Sequence, residues 1–262
     1  METAGIAERI LRHDRAMTIV GLGLVCLLSW AYLLSGGAMT SSGMEGDGMV
    51  GMAGPMAWSA SHAALMFVMW TVMMAAMMLP GAAPMVLAVA AVDRGHRRRG
   101  LPAVSAAYFV LGYLLVWSAF SLAAVSLQWG AEAAMGVSAM TSGVGVGVGG
   151  AILIAVGLYQ WTPLKDSCLR HCRSPLEFLT TRWRRGRGGA IRMGVEHGVY
   201  CLGCCWALMA LLFVGGVMNL LWIAAIAGFV LVEKTAPAGR RVGRWAGAVL
   251  AALGVWMLLV AF

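Results

Sequence analysis

Seven apolar runs, at roughly residues 17–34, 62–92, 102–127, 142–161, 194–214, 217–232 and 245–262, take up most of this chain of 262 residues. Most are long enough to cross the hydrocarbon core of a bilayer as a helix. Lipid offers the backbone no hydrogen-bond partners, so only helices or a closed barrel can span it, and unbroken apolarity selects helices. With 61% hydrophobic and 11% charged residues, the chain reads as an all-α integral membrane protein. It is one domain over residues 1–262, a bundle of about seven transmembrane helices.

The basic residues orient that bundle. If the N-terminus is cytoplasmic, Arg9, Arg12 and Arg15 precede span one, and Arg94, Arg97, Arg98 and Arg99 follow span two. Lys165, Arg170, Arg173, Arg182, Arg184, Arg185, Arg187 and Arg192 fall between spans four and five, and Lys234, Arg240, Arg241 and Arg244 after span six. These are all 19 basic residues, every one on the inner side, while the outer loops carry only Glu45, Asp47 and Glu132 as charges. The positive-inside rule then gives a cytoplasmic N-terminus, a C-terminus on the opposite side and a multi-pass membrane protein. The formal charge of +8 is thereby explained as orientation, and nucleic acid is not expected as a partner. Span one is long and lacks a convincing small-x-small cleavage site, so it reads as a helix and not a signal peptide. Trp30, Trp58, Trp129, Trp161 and Trp245 lie near span ends, as an interfacial belt does.

Three segments interrupt the pattern. The outer loop at 35–61 is rich in Gly, Ser and Met and too poor in core-forming residues to pack. The basic inner loop at 162–193 contains two helix starts, Thr162-Pro163 and Ser174-Pro175, each with a capping residue before proline. Two short helices at the inner surface are expected there, then a flexible "RRGRGG". "GVGVGVGGA" opens span four, and its small residues suit close helix packing.

Soft ligands cluster on the inner side. "HGVYCLGCCW" places His197, Cys201, Cys204 and Cys205 on one helical face, and "CLRHC" repeats the spacing with Cys168, His171 and Cys172. Thiolate and imidazole together suit Cu(I), Zn(II) or iron–sulfur clusters. Thiols facing a reducing cytoplasm are free to bind metal and are not locked in disulfides. His197 could instead pair with Glu196, and a lone Cys in such a helix could simply pack.

Span two carries Met66, Met69, Met73 and Met77 at helical spacing, with Met74 and Met78 alongside. Thioethers are soft, neutral ligands suited to Cu(I), although a Met stripe also fills cores. Met39, Met44, Met49, Met52 and Met56 lie in the outer loop, where there is no core to fill, with Glu45, Asp47 and His62 as harder auxiliaries. The order from thioether outside to thiolate inside is the one expected for moving or storing a soft cation. Pro80 and Pro84 interrupt the end of span two as a kink or a break, and Glu233-Lys234 closes span six, either in a functional role or by snorkelling to the interface.

"MFVMWTVMMAAMMLPGAAPM", "YQWTPLKDSCLRHCRSP", "HGVYCLGCCWALM" and "FVGGVMNLLWIAAIAGFVLVEK" resemble a bacterial family of predicted metal-binding integral membrane proteins of unknown function, from about residue 60 to 235. The resemblance implies functional weight for Met69, Met73, Met77, Pro80, Pro84, Tyr159, Gln160, Pro163 and Lys165. It implies the same for Cys168, His171, Cys172, Cys201, Cys204, Cys205, Trp206, Glu233 and Lys234. The expectation is a multi-pass protein of a bacterial inner membrane, its C-terminus periplasmic, that handles a soft metal, Cu(I) foremost with zinc or iron as alternatives, in contact with lipid and with a metallochaperone or a larger membrane complex. No nucleotide-binding G-x-x-x-x-G-K-[ST] motif is present, and no catalytic set stands out. Two other readings stay open: a membrane thiol–disulfide oxidoreductase using Cys201-x-x-Cys204, and a subunit braced by zinc.

Overall fold

Proline does not break the second helix. In the computed structural model, which describes residues 16–35, 58–99, 106–135 and 145–261, α2 (Ala60–Arg98) runs through both Pro80 and Pro84. At 1.5 Å per residue its 39 residues reach about 58 Å, well beyond a bilayer core. Within its Met-rich half residues 73–79 are all buried, whereas Leu65 and Val68, nearer its start, are exposed.

Around it stand α1 (Ala16–Ser35), α3 (Ala106–Met135), α4 (Val146–Tyr159), α5 (Pro163–Arg173), α6 (Pro175–Arg182), α7 (Gly186–Ala210), α8 (Leu212–Gly215), α9 (Leu220–Thr235) and α10 (Gly239–Ala261). The described residues are all-helical, without strands. Among the described residues five helices are long and apolar enough to cross a membrane, namely α1, α2, α3, α7 continued by α8, and α10, and α4 with α5 makes a sixth if that bent pair is one span. Expected span six is α9, whose 16 residues reach about 24 Å.

The expected inner loop is more ordered than its composition implied. α5 and α6 begin at the expected prolines, and the Thr162 hydroxyl accepts from the Lys165 backbone N–H at 3.3 Å. A 64° bend separates α4 from α5. The "RRGRGG" stretch is not a free linker, because α7 starts inside it at Gly186. Met193 and Ala190 on that first part pack with Phe178 of α6 and Met85 and Val89 of α2 in a second, smaller core. The burial recruits weak helix formers into the helix.

Two helix pairs touch backbone to backbone through glycine. A Cβ on Gly194 of α7 would land on the Phe109 carbonyl of α3, and one on Gly112 of α3 on the Ile191 carbonyl of α7. α4 meets α10 in the same way: a Cβ on Gly157 would lie 2.6 Å from the Gly247 carbonyl oxygen. The expected packing role of the span-four glycines holds at Gly150 but not at Gly145 or Gly147, which face open space. The Met-rich outer loop, with Met39, Met44, Met49, Met52 and Met56, lies outside the described residues.

Because α7 carries the cysteines, its seat on α3 sets their position. Gly194→Val is expected to destabilise the fold by roughly 2 kcal/mol or more through overpacking, while Gly147→Val has little effect. Thermal unfolding of the two variants in detergent checks this.

Candidate metal centre

Helix α7 turns its sulfur face into the protein. His197, Cys201, Cys204 and Cys205 are all buried, and none of the six cysteines is disulfide-bonded. The Cys204 and Cys205 thiols both donate back to the Cys201 carbonyl, at 3.0 and 2.9 Å. This turns them along their own helix. Accordingly, among the described residues no three His, Cys, Asp or Glu side chains are gathered closely enough to hold an ion, and side-chain rotation would be needed to converge them.

The second trio arrives on α5, which lies against α7. Cys172 Sγ is 4.0 Å from Cys204 Sγ, and a Cβ on Gly203 would stand 2.6 Å from Cys168 Sγ. A Cβ at 203 would therefore require the Cys168 thiol to rotate away. Tyr159 donates to the Gly203 carbonyl at 2.5 Å, tying α4 to the same turn.

Three other helices complete the centre. From α2, Met78 Sδ lies 3.7 Å from Cys205 Sγ. From α3, the Tyr113 hydroxyl lies 3.0 Å from Cys201 Sγ and 3.2 Å from the Met78 carbonyl. From α9, the Lys234 ammonium lies 2.8 Å from Cys201 Sγ and 3.9 Å from Met78 Sδ. Thiols, one thioether and one ammonium thus meet in a space closed to solvent.

The imidazoles do not join them. His171 stacks on Tyr200, with centroids 4.4 Å apart and planes within 6°, and its Nδ1 contacts the Ser167 carbonyl at 2.9 Å. His197 sits among the rings of Phe109, Tyr113 and Phe178, and its Nδ1 has no hydrogen-bond partner. The alternative of a His197–Glu196 pair is also not found: Glu196 pairs with Arg182, Arg184 and Arg192 at 3.2–3.6 Å. Met66, Met69, Met73 and Met77 are buried in the main core. The methionine that touches the thiols is Met78, one residue beyond the stripe read from spacing. Tyr113 was not legible as a partner, since nothing in its neighbourhood differs from an ordinary apolar helix.

Glu233 and Lys234 do not snorkel; they are 2% and 8% exposed. Glu233 forms a buried ion pair with Lys165 at 2.6 Å, and Lys165 also donates to the Gln160 side chain. Gly243 leaves room for the carboxylate, and Arg173 donates to the Glu233 and Ala236 carbonyls. Lys165 is among the basic residues expected to orient the chain, yet its head is enclosed. This pair fastens α5 to α9, and with it the Cys172 side of the centre to the Lys234 side.

A family model described as PpoB2, copper chaperone, matches residues 67–257. The match runs from α2 to α10 and includes every residue of the thiol–lysine centre. No curated protein and no solved structure matches the chain.

Removing one member of the Lys165–Glu233 pair strands a buried charge. Glu233→Gln is expected to cost about 3–5 kcal/mol, and Lys165→Met with Glu233→Leu much less. Unfolding midpoints for the single and double variants test this.

Proposed function

This chain belongs to the PpoB2 family of copper chaperones, and from that premise we propose that it receives Cu(I) in the bacterial inner membrane and holds it at a sulfur centre. The observation that carries the reading is the meeting of Met78 from α2 with the buried Cys201, Cys204 and Cys205 of α7, beside the half-buried Cys172 of α5. The donor set is soft and, with the imidazoles turned away, contains no nitrogen or carboxylate ligand. Thioether and thiolate suit Cu(I), whereas thioether is a poor ligand for Zn(II).

The proposed topology is seven spans with the N-terminus inside, which puts the cysteine centre toward the cytoplasmic side. The outer methionines capture the ion, Met66, Met69, Met73 and Met77 lie along its route, and Met78 passes it to thiolates. Ligand strength for Cu(I) rises along that order, so the ion moves inward and stays at the thiols until a partner collects it. A soluble metallochaperone or a subunit of a larger membrane complex is the partner such a role calls for. His171 and His197 are not needed as ligands in the arrangement described. Their service is to seat α5 on α7 and α7 on α3.

The Cys172–Cys204 contact at 4.0 Å favours a second reading, a thiol pair that cycles through a disulfide. Thiol trapping in intact cells separates the two. Copper handling predicts a reduced pair and no mixed disulfide, whereas an oxidised pair would move the assignment to redox chemistry.

For the copper reading, protein purified from cells grown with copper is expected to carry the metal, and Cys201→Ser with Cys205→Ser to lose it. Met78→Leu weakens Cu(I) binding by about tenfold, roughly 1.4 kcal/mol, while Met73→Leu slows loading without changing the equilibrium affinity. Metal analysis and titration against a Cu(I) chelator report both. Unchanged copper in the double Cys variant would remove the assignment.

A further inference from the structure

The sulfur centre already contains a cation. The Lys234 ammonium touches Cys201 Sγ at 2.8 Å and Met78 Sδ at 3.9 Å, and Cys205 Sγ lies 3.7 Å from the same Met78 Sδ. The lysine stem reaches this point past Gly81, where a Cβ would stand 2.9 Å from Lys234 Cδ. Any larger residue at 81 would obstruct it. Burial removes water as a partner, and the adjacent carboxylate of Glu233 is engaged 2.6 Å from Lys165. The groups in contact with the ammonium are therefore sulfurs.

We propose that Lys234 selects the charge of the ion, making the Cys201–Cys205–Met78 centre neutral with a monovalent soft cation and positively charged with a divalent one. This rests on the reading that these sulfurs take the ion. Two thiolates bring two negative charges and the thioether none, while the ammonium supplies one positive charge. Cu(I) or Ag(I) brings the total to zero. Zn(II) on the same three sulfurs leaves an excess positive charge in a space sealed from water, where uncompensated charge is strongly disfavoured. The coordination proposed uses Cys201 and Cys205 and not Cys204, which is directed at the Cys201 carbonyl as Cys205 is and lies next to Cys172. Lys234 thus acts on the ion through charge balance and not as a ligand.

The test compares the full-length protein with Lys234→Met, Lys234→Gln and Lys234→Arg, measuring Cu(I) and Zn(II) affinities separately by chelator competition. The two neutral variants are expected to lose at least about tenfold in preference for Cu(I) over Zn(II), about 1.4 kcal/mol. Lys234→Arg keeps the charge and stays closest to the wild-type preference. Equal weakening of both ions in the neutral variants, or no change in either, would overturn charge selection while leaving the sulfur centre standing. A wild-type protein that binds neither ion would instead overturn the sulfur centre, and this inference with it.

Discussion

A charge closed off from water must be answered by another group of the protein, and the cysteine end of this bundle is arranged around two such answers. Lys165 meets Glu233, linking α5 to α9. Lys234 meets Cys201, linking α9 to α7. Neither contact could form without close helix approach, which Gly81, Gly203 and Gly243 permit by leaving space for the Lys234 stem, the Cys168 sulfur and the Glu233 carboxylate. The polar contacts and the small residues act together: remove the room, or one partner of a pair, and a charge is stranded.

The same arrangement explains why sulfur from distant parts of the chain is collected in one place. α5 brings Cys172 because Thr162 and Pro163 end α4 and start a new helix at a sharp angle. α7 brings its three thiols because glycine contacts press it against α3. α2 brings Met78 because it stays helical through Pro80 and Pro84. The family match covers this whole assembly and leaves out α1, whose side chains are mostly exposed.

Much of this was legible in the sequence. Apolar length gave the helical membrane class, the two Ser/Thr-Pro pairs gave α5 and α6, and the repeated i, i+3, i+4 spacing gave the two cysteine groups that meet. What spacing does not give is rotation about the helix axis or the neighbour across the interface. Met77 and Met78 differ by about 100° around α2, and packing alone decides which faces the thiols. His171 and His197 share their helices with the cysteines, yet aromatic neighbours from Tyr200, Phe109 and Phe178 draw the imidazoles elsewhere. Pro80 and Pro84 carry a local rule for breaking helices, yet α2 stays helical through both, with Pro80 half-buried and Pro84 exposed. Gly186 starts a helix because Ala190 and Met193 gain a core by continuing it.

X-ray absorption at the copper edge of the Cu(I)-loaded, full-length protein addresses the central claim most directly. An inner shell of sulfur alone, without the outer-shell scattering of imidazole, is the predicted spectrum. A shell containing histidine nitrogen would contradict the account, because His171 or His197 would then have to leave the aromatic seat described for it.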